Sequence, residues 1–404
     1  MRAADVPAWT SNRPLRWAGW GGLGALGFAG SAFLRGLAAR PGWVEAWVSG
    51  GWGGSLTRTL AGWSEQVGRS TADGVLIVGA AWLLWCLLDG LAEVGAKRRH
   101  IGNVIGTWSL ATFALVGVVG LLFDASWGMV YLRKPVGERL GWGPPIEIVK
   151  GQPLDPAVVA IVVEDAERLV ARASAAYVEA HGSPDAGRVT RLPEGKDADA
   201  LIEQAYAKLG QKLELDPFFR SRQAPAATPL LSPAMSWLGL GGFWFPWTGQ
   251  AQVNGEPPDV SRLFTLAHEK AHGRMVGPED EASLFAFLAL IEADDPVLRY
   301  VGWNFAARQM VRGVKKADPE RAAALLETLP PGMQRDQDEV VDFWASRAGV
   351  LTDIAEAIND AYLRLHGVEG GKASYTRTAR WISRWLRVPA ASGGGVGVVG
   401  PSGG

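Results

Sequence analysis

The chain has 404 residues, a formal net charge of −1, one cysteine and 48% hydrophobic residues. The balanced charge, without a basic patch interleaved with aromatic residues, gives no reason to expect a nucleic-acid partner. The single cysteine, Cys86, excludes a fold stapled by internal disulfides, so any domain must be stabilised by its core.

Three uncharged and largely apolar stretches lie in the first third of the chain, at 17–34, 74–88 and 101–123. A membrane helix needs about 20 mostly apolar residues, and about 17 is the short limit. With their flanks, the stretches predict transmembrane helices at about 16–37, 73–94 and 101–124. A cleaved signal peptide is the alternative for the first stretch. The length of that stretch and the Arg35 that follows it favour an uncleaved anchor.

Basic residues predict the orientation of these helices. Arg13 and Arg16 precede the first helix, and the basic run 97–99 separates the second helix from the third. Because basic loops tend to stay in the cytoplasm, three crossings place 41–71 and everything after about 126 outside it. The sequence therefore predicts a multi-pass membrane protein whose larger domain is extracytoplasmic.

The domain pattern comprises a membrane domain at 1–126, a mainly α domain at 127–388 and a glycine-rich tail at 389–404 that is predicted to be disordered. The segment 41–71, rich in tryptophan and glycine, is predicted to lie along the membrane surface. Helical periodicity dominates the larger domain. Its predicted helices cover about 155–180, 196–213, 296–315, 318–328, 336–347, 350–365 and 374–386.

One short β-hairpin is expected within this helical domain. Residues 243–245 and 250–253 predict two strands around a turn at 246–249. An exposed strand edge can bind an extended peptide through backbone hydrogen bonds, so this hairpin is a candidate substrate surface. The alternative is that the aromatic side chains at 243–247 belong to the core or face the membrane.

The motif that carries chemistry is H-E-x-x-H at 268–272, which contains two of the five histidines. Residues four apart share one face of a helix, so His268 and His272 can reach the same ion, and Glu269 can reach a metal-bound water. This pattern is typical of zinc metallopeptidases. Lys270 replaces the apolar residue usual at this position, but its long stem can extend out of a core. The alternative is a surface helix that carries these residues by chance.

The helix that carries the motif has predictable ends. Asp259 or Ser261 is expected to cap its start. Gly273 and the pair 277–278 are expected to break it. The histidines therefore lie near the end of a short helix that is followed by a turn.

A catalytic zinc site needs a third protein ligand. Glu279, Glu281 and Glu292 are the candidates, and all three lie on one predicted helix at 279–292. Glu292 would lie about 20 Å from Glu279 at 1.5 Å per residue, so the short turn can return only the near end to the histidines. Glu279 shares its helical face with small residues, whereas Glu281 shares a face with large apolar residues. Glu279 is the first choice and Glu281 the second.

These motifs resemble those of a bacterial membrane family known as domain-of-unknown-function family 3810. Its members carry H-E-x-A-H, then E-D-E-A-N, then an aspartate-aspartate-proline step, and this chain has HEKAH, EDEAS and ADDP in that order. Further segments that resemble the family lie at 127–133, 242–249, 358–363 and 374–375. The resemblance covers about 15–385, nearly the whole chain.

The resemblance implies a zincin-like, gluzincin-type peptidase on the extracytoplasmic side of the bacterial cytoplasmic (inner) membrane, with no established substrate. Glu279 corresponds to the first glutamate of the E-x-x-A-D motif in integral-membrane gluzincins, where that residue is a metal ligand. Ser283 stands where the family usually has asparagine.

The expected mechanism uses Zn²⁺ bound by His268, His272 and Glu279. Glu269 takes a proton from the metal-bound water as the water attacks a peptide carbonyl, and passes the proton to the leaving amine. The expected partners are the lipid bilayer and a peptide or protein substrate. A further donor should stabilise the oxyanion. The candidates, of which the Asn359–Tyr362 pair is preferred, are Tyr300, Asn359, Tyr362, His366 and Tyr375.

Two other classes of function stay open from the sequence. In the first, the site binds zinc in a membrane sensor or scaffold that has no proteolytic turnover. In the second, the protein is a membrane assembly factor in which the motif residues are purely structural.

Overall fold

The computed structural model describes residues 13–40, 42–49, 51–96, 100–145, 156–365, 377–389, 392 and 394. The described part is mainly helical and contains one small sheet. The chain forms two compact units, the first from 1–47 with 73–129 and the second from 48–72 with 130–404. Apart from residues 389, 392 and 394, the predicted disordered tail lies outside the described residues.

The first unit contains three long helices, α1 (Arg13–Ala38), α4 (Thr71–Gly95) and α5 (Ile101–Ser126). Among the described residues, α4 and α5 are the two single helices long and apolar enough to cross a membrane. The structure therefore supports two of the three predicted transmembrane helices. The first stretch does form a helix, but its many glycines and its tryptophans contribute little hydropathy, and arginines lie at both of its ends.

Helix α1 packs tightly along α5. A Cβ atom added at Gly27 would lie 2.3 Å from the backbone of Gly117, so the two backbones are in contact there. Small residues permit this close approach between helices. Further along both helices, Arg35 donates to the buried carboxylate of Asp124 from Nε at 2.9 Å and from Nη2 at 2.8 Å. Because both contacts follow the same order along the two helices, α1 and α5 run in parallel.

The second unit carries most of the remaining helices, and where the sequence predicts a helix, its bounds lie close to the predicted ones. One difference is at the 336–347 helix, which begins at Pro331, because proline fits the first position of a helix. Helix α2 (Trp43–Ser49) spans the boundary between the units. The others are α3 (Trp52–Val67), a 3₁₀ turn (Gly128–Leu132), α6 (Val136–Arg139), α7 (Pro156–His181), α8 (Ala198–Lys212), α9 (Pro217–Arg220), α10 (Ser232–Trp237), α11 (Asp259–Gly273), α12 (Glu279–Ile291), α13 (Pro296–Ala317), α14 (Pro319–Glu327), α15 (Pro331–Ala345), α16 (Val350–Leu365) and α17 (Thr378–Trp385).

The sheet is an antiparallel hairpin of β1 (Gly242–Phe245) and β2 (Gln250–Val253), in which Trp244 faces Ala251. On the other side of β2, Ala227 forms a parallel bridge to Gln252. The outer edge of β1 has no strand partner among the residues that the structure describes. The expectation of a short hairpin with an edge strand therefore agrees with the structure.

Helix α3 packs against the turn of this hairpin. The backbone at Gly249 has a φ of 60°, and a Cβ there would lie 2.8 Å from the backbone of Thr57 and Ala61. Glycine is thus required at this position by both conformation and space. Ser64 donates to the carbonyl of Thr248 at 2.5 Å. The expected association of 41–71 with the membrane surface stays a prediction.

Helix α12 forms the centre of the second unit. Every residue from Glu279 to Leu290 is buried, and α8, α11, α13 and α17 all contact this helix. A helix that is apolar on all sides is a buried helix, which agrees with the absence of an amphipathic stripe in its sequence. Its N-terminal turn brings three acidic residues into the interior next to α11.

Candidate metal centre

Helix α11 places the motif in the interior. Leu263 and Ala267 are fully buried, and the whole stretch from Leu266 to Gly273 is buried as well. The predicted cap is wrong in detail. The helix begins at Asp259 after Pro258 without a side-chain cap, and the Asp259 carboxylate instead accepts from the backbone N–H of Leu192 at 2.9 Å.

The turn after α11 is short and fixed in place. Met275 has a left-handed backbone conformation with φ of 61°, and Arg133 donates to its carbonyl at 2.8 Å. Gly277 lies against the backbone of Val130 and Tyr131, where a Cβ would come within 2.8 Å. This reversal returns the chain so that the first turn of α12 faces the end of α11.

His268, His272 and Glu279 converge at this point. Nε2 of His268 lies 3.2 Å from Nε2 of His272 and 3.0 Å from Oε2 of Glu279. Nε2 of His272 lies 3.5 Å from the same carboxylate oxygen. All three residues are buried, and within the described part of the chain they form the group of three that could hold a metal ion.

The outer nitrogens of both imidazoles have oxygen partners. Nδ1 of His272 lies 2.7 Å from the carbonyl of Val276. A carbonyl can only accept, so this nitrogen carries a proton, and Nε2 is the ring atom that faces the centre of the cluster. Nδ1 of His268 lies 3.1 Å from Oγ of Ser283. Oxygen partners of this kind fix the ring orientation of metal-binding histidines.

The donor set and its spacing fit a tetrahedral ion. Zinc takes nitrogen and oxygen ligands at about 2.0–2.2 Å, which sets neighbouring ligand atoms about 3.4 Å apart. The three separations here, 3.0, 3.2 and 3.5 Å, lie around that value. Three protein ligands leave a fourth position free, as in catalytic zinc sites.

The electrostatics of the cluster favour a positive charge at its centre. Burial alone would lower the pKa of His272, but the adjacent Glu279 carboxylate outweighs burial and raises this pKa to about 9. Burial alone would raise the pKa of Glu279, but the charge of His272 and hydrogen bonds with both imidazoles hold it well below its usual range.

Glu269 lies beside the cluster without being part of it. It is 5% exposed, and its Oε2 has no hydrogen-bond partner among the described residues. Burial raises the pKa of this carboxyl, with a smaller contribution of the same sign from Glu279 and opposing contributions from the two histidines. A buried carboxylate oxygen without a partner is costly unless a ligand or a water satisfies it.

The three consecutive acids at the start of α12 have different partners. Glu281, the second choice for the third ligand, accepts from the backbone N–H of Val136 at 2.8 Å and pairs with Arg139. Asp280 accepts from Nε1 of Trp381 at 3.2 Å. Of the three, Glu279 alone belongs to the group with the histidines.

Glu292 lies at the opposite end of α12. Its carboxylate pairs with Lys212, and the residue is the C-terminal cap of the helix. The separation predicted from the helical rise therefore agrees with the structure. The geometry favours Glu279 over both alternatives, and its role as a metal ligand stays a prediction.

Lys270 belongs to a buried ionic network behind the motif. Its side chain is fully buried, so the interpretation that it extends out of the core is wrong. Nζ lies 2.8 Å from Asp199 and 3.0 Å from Glu203, and it donates to the carbonyl of Ala224 at 2.7 Å. Arg274, also buried, donates to Glu203 at 2.7 Å. The network ties α11 to α8 on the side opposite the histidines.

The candidate oxyanion stabilisers receive little support. Asn359 is half-buried on α16, and no hydrogen bond among the described residues joins it to the motif. Tyr362 is on the same helix, but its side chain is not among those described. The hydroxyl of Tyr300 donates to Asp336 at 2.8 Å. His366 and Tyr375 lie outside the described residues.

Sequence reasoning does not predict the contacts that other helices make with the motif helix. The hydroxyl of Tyr206, on α8, donates to the carbonyl of Ala267 at 2.7 Å, directly before the first histidine. No local pattern in the sequence distinguishes Tyr206 from an ordinary core aromatic, because its partner lies 61 positions away. The family resemblance singles out Ser283 by its position, but the sequence does not predict the contact of Ser283 with the His268 ring.

The comparison with known families agrees with the motifs. Residues 55–383 match the family described as "Protein of unknown function (DUF3810)". The chain belongs to this family. The DUF3810 match covers most of the chain and confirms the family resemblance that the sequence motifs indicate. The peptidase character that this resemblance implies is not confirmed. No curated protein and no solved structure matches the chain.

Proposed function

We propose that the protein is a membrane-anchored, zinc-dependent metallopeptidase. The observation that carries the proposal is the convergence of two imidazole Nε2 atoms and one carboxylate oxygen within 3.5 Å of one another. His268, His272 and Glu279 would hold the ion. When bound, zinc polarises a substrate carbonyl and acidifies a coordinated water.

Glu269 is the proposed general base. Its unpartnered Oε2 takes a proton from the attacking water and delivers that proton to the leaving amine. Burial keeps bulk water away from this oxygen, so the proton is held where the reaction needs it. The outer edge of β1, which lies next to the motif helix, is the proposed surface for an extended peptide.

The proposed topology places the metal centre outside the cytoplasm. Helices α4 and α5 are the two candidate spans, and the basic residues 97–99 that connect them lie outside the described residues. With that connection in the cytoplasm, the residues before α4 and after α5 are on the opposite side. Residues 48–72 and 130–404 form one compact unit, which supports this arrangement.

The decisive experiment uses full-length protein in detergent or lipid discs. Zinc content and hydrolysis of a mixed peptide pool are measured for the native chain and for Glu269→Gln, His268→Ala and Glu292→Gln. Glu269→Gln should keep the zinc and lose hydrolysis, whereas His268→Ala should lose both. Glu292→Gln, on the remote end of α12, should keep both. Hydrolysis that persists in Glu269→Gln refutes the mechanism, and a native chain without zinc refutes the metal assignment.

The burial of the cluster favours a second candidate function. Each of the three proposed ligands is at most 9% exposed, and closed sites of this kind also occur in structural zinc centres. A zinc-binding membrane sensor or scaffold would contain about one zinc per chain without hydrolysing any peptide of the pool. In that case, His268→Ala should change the set of membrane proteins that copurify with the chain.

A further inference from the structure

A cleft of about 460 Å³ lies beside the motif helix, away from the metal cluster. Ligand pockets in proteins commonly have volumes of about 300–1,000 Å³. Residues of α11, α13 and α15 line the cleft. Phe264, Phe305 and Trp344 give it aromatic walls, and the first two rings are stacked at 3.7 Å between centroids.

Two arginines of α13 reach into the cleft without a counter-ion. Arg308 is half-buried and Arg312, one turn later, is exposed. Neither forms an ion pair or a side-chain hydrogen bond within the part of the chain that the structure describes. Burial, and to a lesser extent the like charge of Arg312 one turn away, lower the pKa of Arg308 to about 10. An anion would relieve this repulsion.

A buried amide in the same wall also lacks a partner. Asn304, 2% exposed, lies one turn before Arg308, and its Oδ1 has no hydrogen-bond partner among the described residues. Buried polar atoms are nearly always paired, so an unpaired one in a cleft indicates a missing ligand or water. An amide oxygen accepts an N–H. The wall therefore offers one acceptor next to two cations.

The cleft is close to the proposed general base. Ser261 and Thr265 of α11 line it, and Glu269 follows Thr265 by one turn on the same face. A Cβ at Gly242 of β1 would lie 2.8 Å from Cγ2 of Thr265 and 3.0 Å from Cγ of Glu269, so one strand residue contacts both. The helical rise puts the cleft about 6–12 Å from Glu269. An extended peptide covers this distance in about two to four residues.

We propose that the cleft is a subsite that binds a carboxylate of a peptide, with Arg308 and Arg312 as the cationic partners and Asn304 as the acceptor of an adjacent backbone N–H. An aromatic or apolar side chain next to the carboxylate packs on Phe264, Phe305 and Trp344. The assignment of the ligand as a peptide rests on the proposed function. The assignment of a carboxylate group to this ligand rests on the residues of the cleft alone.

Two positions on a peptide can supply this carboxylate. A free C-terminus presents a carboxylate and an N–H on the same residue, which fits both the arginines and Asn304. An acidic side chain presents its carboxylate further from the backbone. Guanidinium groups bind either carboxylate through paired, charge-assisted hydrogen bonds.

The test measures binding rather than turnover. Calorimetry on the full-length protein compares N-acetylphenylalanine with N-acetylphenylalanine amide, and both with N-acetylisoglutamine, whose only carboxylate is on the side chain. The acid should bind at least tenfold more tightly than the amide. Arg308→Gln should abolish this preference. Lys316→Gln, which removes the same charge from the exposed end of α13, should keep it. The tighter of the two acids identifies the source of the carboxylate.

Each measurement is repeated after treatment with a chelator, because carboxylates also bind zinc. A preference for the acid that survives chelation and disappears in Arg308→Gln supports the subsite. Equal binding of acid and amide, a preference retained in Arg308→Gln, or a preference lost with the metal overturns it. None of these results depends on hydrolysis, so failure of the subsite and failure of the peptidase proposal are distinguishable.

Discussion

Ser283 and His268 are in contact through Oγ and Nδ1, which lie 3.1 Å apart. Ser283 follows Glu279 by one turn on α12, so a single face of this buried helix provides both the proposed carboxylate ligand and the oxygen that orients an imidazole. The position of α12 relative to α11 therefore sets two of the three separations in the cluster.

Ser283→Ala should weaken zinc binding by about tenfold, because loss of a hydrogen bond to a metal-binding histidine commonly costs 10–100-fold in affinity. Ser283→Asn restores a side-chain oxygen and should recover most of the affinity. The dissociation constant is measured by competition with a chelator dye. An Ala variant that binds zinc as tightly as the native chain would contradict the proposed orienting role.

Glu279→Gln should reduce the zinc content to well below one per chain, because the amide replaces the proposed anionic ligand of the cluster. Glu292→Gln is the matched control, since it makes the same change on the same helix at the end that pairs with Lys212. Elemental analysis of both purified variants gives the answer. Normal zinc content in Glu279→Gln would reopen the choice of the third ligand.

Lys270→Met should destabilise the second unit by about 3–5 kcal/mol, because it leaves one half-buried carboxylate without a cation within the described part of the chain and one buried carboxylate with Arg274 alone. The carboxylates are those of Asp199 and Glu203. Arg168→Ala, which removes a half-exposed partner of Glu164, should cost less than about 1 kcal/mol. Thermal unfolding in detergent compares the two. Similar midpoints for both variants would show that the network contributes little.

Asp280→Asn should change how stability depends on pH. Burial, together with Glu281, raises the pKa of Asp280 from 3.8 to about 6, so the folded state holds this proton more strongly than the unfolded state does. The contribution of Asp280 to the free energy of unfolding should therefore fall as the pH rises from about 4 to about 6. Relative to the native chain, Asp280→Asn should gain about 1–3 kcal/mol between pH 4 and pH 7.5. Parallel pH profiles for the two proteins would contradict this origin.

Local patterns predict the elements of the second unit well. The periodicity around the motif and the glycine and proline residues after it locate α11, the turn and α12 within a few residues. The same reasoning selects the near end of α12, where Glu279 lies, over Glu292. These inferences succeed because helix spacing and turn chemistry depend only on neighbouring residues.

The remaining features depend on contacts that are distant in sequence. The structure distinguishes Glu279 from Glu281 by their partners. Glu279 lies next to the two histidines, whereas Glu281 pairs with Arg139, which is 142 positions away in the sequence. Lys270 is buried because two carboxylates of α8 pair with its ammonium group. The residues next to Lys270 in the sequence do not reveal these partners. The first stretch resembles a membrane span by its lack of charge, but its glycines serve close packing against α5 and lower its hydropathy.

The first turn of α12 connects the candidate metal centre to two other parts of the fold. Asp280 binds α17, and Glu281 binds the segment around Val136. Binding of an ion at Glu279 would therefore stabilise the entire second unit against unfolding. This stabilisation would grow with the logarithm of the ratio between the free ion concentration and the dissociation constant. Zinc starvation of the cell would then shorten the lifetime of the protein, in addition to leaving the proposed site without its metal ion.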